Sequence, residues 1–289
     1  MLSVANPVKF GVVILNYLAY QVTIDCIECF LKLDQTNKFM KIIVVDNHSP
    51  NDSYEILRKK YDANSQVEIV QTDENLGFAR GNNYGYQILK KEMEPDFVIF
   101  SNDDILLKDQ KLLSWIENMY IKYEFAVLGP KIYSKYGKYY QSPMENFSQN
   151  KNECRKKLFE YRIILAKLKV KKILHKKSKS LAEKKYKDAE YQTMTTEKTL
   201  HGSFLIMSKK YLNEFAEPFD PNTYLYMEEN LLKLRCDTKS LTMLYSPDYE
   251  IIHLQAIATN MVVSDQTQRD YKRIKNIIAS LKYYISILK

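Results

Sequence analysis

Glycine, cysteine and long apolar runs are all scarce in this 289-residue sequence, which contains 7 Gly and 4 Cys. So few glycines leave no Gly-rich phosphate loop and few flexible linkers, and four cysteines do not suggest a disulfide framework. No stretch approaches the roughly 18 to 20 uninterrupted apolar residues of a membrane span, and the first 11 residues lack the charged start and apolar core of a signal peptide. We therefore expect a soluble, cytoplasmic, globular protein.

Two of the cysteines, Cys26 and Cys29, form a CxxC motif. This spacing occurs in redox pairs and in half of a zinc site, but zinc would need two more ligands at matching spacing, and Cys154 and Cys236 are isolated. The same spacing suits two small apolar residues on one face of a helix over residues 23–33. We favour the helix interpretation.

Positive charge is concentrated in one segment. The chain has a formal net charge of +8, yet residues 151–190 contain 15 Lys or Arg against 5 Asp or Glu, so the rest of the chain is slightly acidic. A nucleic-acid contact is one interpretation, but the lysines lack interleaved aromatic residues or a recognisable module, so we expect no nucleic acid partner. We predict an inserted basic helix or helical hairpin with an apolar stripe of Leu158, Tyr161, Ile164, Leu165, Leu168 and Ile173.

The first 133 residues alternate between short apolar runs and helical patterns, which indicates βαβ units and a mostly parallel sheet. Strands are predicted over residues 8–15, 41–46, 67–71, 96–101 and 126–133, and helices over residues 20–33, 51–61, 79–91 and 110–123. After the basic segment we predict a strand over residues 200–208, a helix over 227–235, two short strands within 241–253 and an amphipathic helix from 271 to 288.

Polar residues gather where the predicted strands end. Each of them alone would be an ordinary turn or helix-cap residue. In parallel sheets, however, ligands bind beyond the carboxyl ends of the strands, so their coincidence predicts a ligand site. They are Asn16, Tyr17, Asp46, Asn47, His48 and the run from Ser101 to Asp104.

Two pairs of adjacent carboxylates suggest two kinds of chemistry. Asp103 and Asp104 follow a buried strand, where a hard divalent cation such as Mg²⁺ or Mn²⁺, bound with a diphosphate, would relieve their repulsion. Glu228 and Glu229 lie in an unusually aromatic segment, where desolvation raises a carboxyl pKa and favours proton acceptance from a hydroxyl. A helix start favoured by the helix dipole is the alternative for the second pair.

Several motifs occur together in one order. They are ILNY at 14–17, VVDNHSPNDS at 44–53, ENLGFARGNNYG at 74–85, SNDD at 101–104, HGSFLIM at 201–207, and FDPNTYLYMEENLLKLR at 219–235 with IIH at 251–253. Together they resemble family 2 glycosyltransferases, and most of all the bacterial rhamnosyltransferase-like branch. The resemblance runs from Phe10 to about His253 and leaves out the basic segment and the C-terminal helix.

The resemblance implies an α/β GT-A fold and an inverting sugar transfer from a nucleotide-diphosphate sugar. Asn16 and Tyr17 would border the base, Asp46 would hydrogen-bond it, and Arg80 with Asn83 would lie along the nucleotide pocket. The sugar and the nucleotide, UDP or dTDP, are not identified by the sequence. The full nucleotide-binding set is Asn16, Tyr17, Asp46, Asn47, Arg80, Asn83 and Asp103.

The resemblance also implies a metal site and a catalytic base. The first acid of the family's acid-x-acid motif is replaced here by Asn102, so Asp104 would bind the Mg²⁺ or Mn²⁺ that bridges the diphosphate. Asp103 would be directed at the ribose or at the metal's water shell, and His253 would lie near the metal or be a structural histidine. Glu229 would take the proton of the acceptor hydroxyl, and a shift of one residue in the alignment would give that role to Glu228.

We divide the chain into a GT-A domain over residues 1–260, interrupted by the basic insertion 151–190, and a C-terminal helix over residues 261–289. The expected acceptor is a glycan or a lipid-linked oligosaccharide in bacterial surface polysaccharide synthesis. We expect the two apolar stripes and the lysines to hold the protein at an anionic membrane face. A packed hairpin, or a homodimer interface at the C-terminal helix, is the alternative. A catalytically silent sugar-binding relative and a nucleotidyltransferase are the other functions considered.

Overall fold

The computed structural model describes residues 7–135, 138–173, 191–255 and 266–288. Its strands are β1 (Val8–Asn16), β2 (Lys38–Asp46), β3 (Val67–Gln71), β4 (Phe97–Asn102), β5 (Ile105–Leu107), β6 (Val127–Ser134), β7 (Tyr139–Ser142), β8 (Phe204–Ser208) and β9 (Met243–His253). Its helices are α1 (Tyr20–Leu31), α2 (Ser53–Tyr61), α3 (Gly77–Met93), α4 (Leu112–Tyr123), α5 (Lys151–Ile173), α6 (Lys209–Leu212), α7 (Glu228–Thr238) and α8 (Gln266–Ile287).

The strands form one sheet in the order β3-β2-β1-β4-β8-β6-β9-β5, with β7 paired to β6. The first four strands in this order are parallel, as the βαβ pattern predicts. Their register places Asn16 opposite Asp46 and Leu15 opposite Asn102, so the carboxyl ends of β1, β2 and β4 lie side by side. The polar residues that follow these strands therefore meet at one edge of the sheet.

The second half of the sheet is mixed. Strand β8 runs antiparallel to β4 and β6, β9 runs parallel to β6, and β5 runs antiparallel to β9. The two short strands expected within residues 241–253 are one strand, β9, and its register against β6 shifts between Pro130 and Lys131. This irregularity accommodates Pro247, which has no N–H to donate to a ladder. The predicted α/β fold class is confirmed.

Alternate residues of the central strands face two separate hydrophobic layers, because successive side chains of a strand point to opposite sides. Val12 and Ile14 face a layer formed with α1, α2 and α4, whereas Val13 faces a layer formed with α3, α6 and α7. Both cysteines of the CxxC motif lie on α1, in agreement with the helix interpretation, and Cys26 is buried in the first layer as a free thiol.

The apolar stripes of α5 and α8 face each other. Leu168 of α5 is buried against Ile274 and Ile278 of α8, and the other predicted stripe residues that the structure describes pack around them. The stripes therefore cover one another, which favours the packed alternative over their insertion into a bilayer. The rest of the expected hairpin, residues 174–190, and the expected domain boundary at 260/261 lie outside the described residues, as does the side chain of Ile173.

No helix in the described part of the chain is both long and apolar enough to cross a membrane.

Candidate active site

A cleft of about 420 Å³ opens at the carboxyl ends of the parallel strands. We call it the strand-end cleft. Three residues predicted to bind nucleotide, Tyr17, Asn47 and Asp103, line it. Its other walls come from the loop before α3, the loop before α7, and α8, and include Asn75, Gly77, Phe78, Asn102, Tyr224, Leu225, Tyr226, Arg269, Lys272, Arg273 and Asn276.

Asn16 and Asp46 lie behind this cleft and do not line it. Both are fully buried, and Asn16 Nδ2 donates to Asp46 Oδ2 across 2.6 Å while Thr23 Oγ1 donates to Asn16 Oδ1 across 2.9 Å. The other Asp46 oxygen accepts from the Ser49 N–H and from Gln71. These contacts occupy the polar atoms that were expected to meet the base, so the two residues fix the ends of β1 and β2.

Arg80 and Asn83 are also placed away from the cleft wall. Arg80 is exposed and pairs with Glu74 at 3.0 Å. Asn83 is buried, where its side chain donates to Phe219 O and accepts from the Phe219 N–H. Asn83 thus joins α3 to the loop that leads to α7, a structural contact over 136 residues of sequence.

The loop before α3 approaches the loop before α7 too closely for any residue except glycine at position 77. Gly77 has a φ of +75°, and a Cβ added there would lie 2.1 Å from Tyr224 O. The Phe78 N–H donates to the same oxygen. Asn47, in turn, donates to Gly77 O and accepts from the Leu76 N–H. This contact brings Tyr224 and Tyr226 to the strand-end cleft.

The acidic pair after β4 meets His253 of β9. The antiparallel register of β5 with β9 places Ile105 opposite His253, and Asp104 Oδ1 lies 3.1 Å from His253 Nε2. On the other side of the ring, His253 Nδ1 lies 2.7 Å from Gln141 Oε1. Because an amide oxygen can only accept, Nδ1 carries a proton, and Nε2 is the ring nitrogen that faces the Asp104 carboxylate.

Asp104 and His253 present two ligand atoms at a spacing that suits a hard divalent cation, and Asp103 is adjacent to Asp104 in the chain. The 3.1 Å between Asp104 Oδ1 and His253 Nε2 is close to the distance of about 3.0 Å between adjacent ligands of an octahedral ion with bonds of about 2.1 Å. Asp103 Oδ2 is buried with no hydrogen-bond partner among the described residues, and burial together with Asp104 raises the pKa of Asp103. The described residues contain no ready-made cluster of three or more metal ligands, so water or substrate oxygens would complete the coordination.

A second cavity of about 350 Å³ adjoins the strand-end cleft and contains the second acidic pair. We call it the α7 cavity. Glu228 and Glu229 begin α7 and line this cavity, and Phe78, Asn102, Leu225 and Tyr226 line both spaces. Its remaining walls include Phe147, Tyr161 of α5, His201, Gly202 and Ile277 of α8. The two spaces therefore adjoin each other along these shared residues.

The two glutamates have different environments. Glu229 is partly exposed, and one of its oxygens accepts from the Gly202 N–H across 3.3 Å. A Cβ at Gly202 would lie 2.8 Å from that oxygen, so a larger residue at position 202 would push the Glu229 carboxylate out of this position. Glu228 is 6% exposed, and its Oε1 is buried with no hydrogen-bond partner among the described residues.

Burial raises the pKa of both glutamates. For Glu228, burial and then the Glu229 carboxylate raise the pKa to about 8. For Glu229, burial raises the pKa, and hydrogen bonds from backbone N–H groups oppose the increase. The pair therefore holds a proton more tightly than ordinary carboxyls do, and its arrangement leaves Glu229 as the carboxylate supported by a donor.

His201 begins the HGSFLIM motif at residues 201–207 but is not among the residues predicted for the site. Its Nδ1 accepts from the Ser203 N–H, so the proton of the neutral ring is on Nε2. Burial, followed by the nearby His253, lowers the pKa of His201 to about 3, and the two rings lie 5.7 Å apart. His201 thus gives this part of the wall a neutral hydrogen-bond donor.

The remaining residues of the cleft that sequence reasoning missed come from distant parts of the chain. Gln141 lies on β7, a four-residue strand with no clear apolar alternation. The cationic residues of α8 lie on the C-terminal helix that the amphipathic pattern predicted. That pattern does not show which part of the fold the polar face of the helix contacts.

Another cavity lies at the opposite edge of the sheet. It has a volume of about 570 Å³ and is lined by the amino ends of β1 and β4, with Lys9, Asp96 and Lys209 among its residues. Lys209 pairs with Asp96 at 2.7 Å. The charges of Lys209 and Asp96 thus neutralise each other, and none of the predicted site residues lines this cavity.

Comparison with protein families gives a match over more than half of the chain. The model of glycosyl transferase family 2 matches residues 11–215. The chain belongs to this family. No curated protein matches the sequence significantly.

Solved structures with a similar fold include two of S. aureus TarS. The structure of TarS residues 1–349 is 16% identical, with a TM-score of 0.53, and the match covers 88% of this chain and 63% of that one. A longer TarS structure is 14% identical, also with a TM-score of 0.53, and the match covers 95% of this chain and 43% of that one. The chain thus spans less than two thirds of the length of either, and at these identities the likeness concerns the fold alone.

This family 2 glycosyltransferase has part of its site outside the region that the family model matches. The strand ends and the acidic pair Asp103 and Asp104 lie within residues 11–215, whereas Glu228, Glu229, His253 and α8 follow that region. The roles of the later residues therefore depend on the geometry of this structure.

Proposed function

We propose that this chain transfers a sugar, with inversion, from a UDP- or dTDP-sugar to a hydroxyl group of a glycan. The observation that carries this proposal is that the two spaces adjoin each other and share four lining residues. Asp103, which belongs to the acidic pair suited to a metal diphosphate, lines the strand-end cleft, and the adjoining α7 cavity holds the carboxylates of Glu228 and Glu229. A donor in the first space and an acceptor in the second would meet at their shared residues.

Glu229 acts as the general base in this proposal. Its partly exposed carboxylate lies in the α7 cavity, and the Gly202 N–H fixes one of its oxygens. Glu229 takes the proton of the acceptor hydroxyl while that oxygen attacks the anomeric carbon, and the bond from this carbon to the diphosphate oxygen breaks on the opposite face. This in-line displacement inverts the anomeric centre. Glu228 stays protonated beside it, which limits the repulsion within the pair.

Asp103, Asp104 and His253 hold Mg²⁺ or Mn²⁺ in this proposal. A cation bound there would supply positive charge to the departing diphosphate. Tyr17 and Asn47 line the same cleft and bind the nucleoside part, while Asn16 and Asp46 hold these two residues in place through the strand ends. Aromatic side chains of the α7 cavity suit the apolar faces of sugar rings, which supports a glycan acceptor.

The test is nucleotide release from a panel of UDP- and dTDP-sugars, with Mg²⁺ or Mn²⁺ and with excess chelator. We expect turnover of one nucleotide class, and its loss in chelator and in Asp104→Ala. The exposed Asp62→Ala, which removes the same charge on α2, should keep full activity. Full activity in chelator contradicts the metal site. Binding without turnover favours a silent sugar-binding relative, and pyrophosphate release from a nucleoside triphosphate favours a nucleotidyltransferase.

We also propose that the enzyme docks on an anionic cytoplasmic membrane face, where a lipid-linked acceptor for surface polysaccharide synthesis would be presented. The outer face of α5 supports this. Phe159 is 63% exposed, and Ile163 and Val170 are exposed on the same face at helical spacing. Arg155, Arg162 and Lys169 flank them and are also exposed. Each such cation near an anionic bilayer contributes about 1 kcal/mol of attraction.

Co-sedimentation with anionic and neutral vesicles tests this docking. We expect salt-sensitive binding to anionic vesicles only, and its loss when Arg155, Arg162 and Lys169 are all changed to Gln. The matched control changes Arg58, Lys59 and Lys60 of α2 to Gln, which removes the same charge from another exposed helix. Equal effects of the two triple variants, or equal binding to both vesicle types, would contradict docking through α5.

A further inference from the structure

One wall of the strand-end cleft is cationic and comes from the C-terminal helix. Arg269, Lys272, Arg273 and Asn276 of α8 recur at helical spacing and line the same cleft as Asp103 and Tyr17. This helix lies beyond residue 215, where the match to the family model ends. The cleft thus has an acidic wall at the strand ends and a basic wall at α8.

The position of α8 is fixed by contacts on its other faces. Ile274 and Ile278 are buried against α5, and Leu281 is buried against residues of α5 and α7. Ser280 Oγ donates to Leu225 O across 3.1 Å, and Tyr283 OH donates to Asp220 Oδ2 across 2.9 Å. The basic face of α8 is therefore held beside the loop before α7.

Arg273 is positioned at the junction of the two spaces. Its guanidinium lies over the Tyr226 ring, 5.9 Å from the ring centroid. Tyr226 lines both the strand-end cleft and the α7 cavity. Tyr226 and Met227 both have positive φ values, of 72° and 74°, immediately before Glu228. Non-glycine residues in this region are strained, so the surrounding contacts must fix the loop in this form.

We propose that Lys272 and Arg273 bind the diphosphate of the donor from the side opposite to Asp103 and Asp104. This inference rests on the proposed function, and it adds the recognition of the diphosphate by side chains of α8. A guanidinium and an ammonium group meet phosphate oxygens through charge-assisted hydrogen bonds. Because negative charge on the diphosphate grows as the sugar leaves, these cations would also stabilise the transition state.

The other residues of the strand-end cleft favour the donor diphosphate, rather than a phosphate of a lipid-linked acceptor, as the group bound by Lys272 and Arg273. Lys272 and Arg273 share the strand-end cleft with Tyr17, Asn47 and Asp103, at the ends of the parallel strands. The glutamate pair, which would meet the acceptor hydroxyl, is in the adjoining α7 cavity. The phosphates contacted by α8 are therefore those attached to the nucleoside.

Calorimetric binding of UDP, dTDP and the matching nucleosides, with Mn²⁺ present, tests this inference. In the double variant Lys272→Gln with Arg273→Gln, we expect nucleoside diphosphate affinity to fall by about 10- to 100-fold and nucleoside affinity to stay unchanged. The single variant Arg273→Lys, which keeps the positive charge and the wild-type Lys272, should lose less nucleoside diphosphate affinity than the double variant. Lys275→Gln is the matched control, because Lys275 is exposed on the same helix and does not line the cleft.

The outcomes separate this inference from the proposed function. If the double variant binds nucleoside diphosphate as tightly as the wild type does, the inference is wrong while the donor site stands. An equal loss of nucleoside and diphosphate affinity also overturns it, because α8 would then only shape the cleft. If an acceptor bearing a lipid phosphate loses affinity and the nucleoside diphosphate does not, the basic wall serves the acceptor. A wild type that binds none of these nucleotides contradicts both proposals.

Discussion

At the residue scale, Glu228 and Glu229 divide two tasks between adjacent positions. Both begin α7, but only Glu229 has a backbone donor on its carboxylate, from Gly202, and partial access to the α7 cavity. Glu228 is more deeply buried, and one of its oxygens has no hydrogen-bond partner among the described residues. The structure thus gives a physical reason to choose between two residues that sequence reasoning could not separate.

The change Glu229→Gln should reduce transfer by roughly two to four orders of magnitude, the scale expected for loss of general-base assistance. Donor binding should survive, because the nucleotide lies in the neighbouring strand-end cleft. The measurement is single-turnover sugar transfer, together with the donor dissociation constant. If Glu228→Gln gives this pattern and Glu229→Gln does not, the roles of the two residues are exchanged.

Glu228 should also make the protein less stable as the pH rises. Its folded-state pKa of about 8 exceeds the ordinary value of 4.5, so between these values the unfolded chain releases its proton first and the folded state loses stability. Glu228→Gln removes this titration, so its free energy of unfolding should fall less than that of the wild type over this pH window. Urea unfolding at both ends of the window measures the difference.

The exposed Glu214→Gln is the control for this titration, because its carboxylate lies at the surface. Its pH dependence of unfolding should follow that of the wild type. A Glu228→Gln variant with the same pH dependence as the wild type would contradict the raised pKa.

At the element scale, the pairing of α5 with α8 builds part of the site. Tyr161 of α5 and Ile277 of α8 line the α7 cavity, and the basic face of α8 lines the strand-end cleft. The basic insertion and the C-terminal helix, which the sequence motifs left without a role, therefore complete the walls of both spaces.

The change Leu168→Ala should lower the free energy of unfolding by about 2 to 4 kcal/mol, since it leaves a cavity between α5 and α8. Leu168 is buried against Ile274 and Ile278. Val170→Ala, two residues along the same helix, removes an exposed side chain and should change stability by less than about 0.5 kcal/mol. Chemical denaturation compares the two. Equal effects would mean that α5 does not pack on α8.

The elements most accurately predicted from sequence were those with the clearest periodicity. Strand β3 has the predicted bounds. The other strands and helices up to β6, except the three-residue β5, were recognised because buried parallel strands and amphipathic helices leave different apolar patterns. Strand β7 was missed because four residues give too short a pattern. Strand β9 was divided in two because Pro247 and the shift in register interrupt its pattern.

At the scale of the whole molecule, the site depends on contacts between distant residues. Sequence motifs predicted that the strand ends would meet, and the structure brings Tyr17, Asn47 and Asp103 to one cleft. The motifs could not reveal that Asn16 and Asp46 form a hydrogen bond behind the wall of the cleft, because this contact depends on the register of β1 with β2. Nor could the motifs place α8 over the cleft, since its contacts with α5, with α7 and with the loop before α7 determine where its basic face points.

The central claim is that the strand-end cleft binds a nucleotide diphosphate between its acidic and basic walls. A crystal structure of the wild-type protein with Mn²⁺ and UDP or dTDP tests it most directly. We expect the diphosphate to lie between Asp104 and Arg273, the nucleoside beside Tyr17 and Asn47, and the Glu229 carboxylate open in the adjoining cavity. A nucleotide bound instead at the opposite edge of the sheet, beside Lys9 and Lys209, would contradict the account.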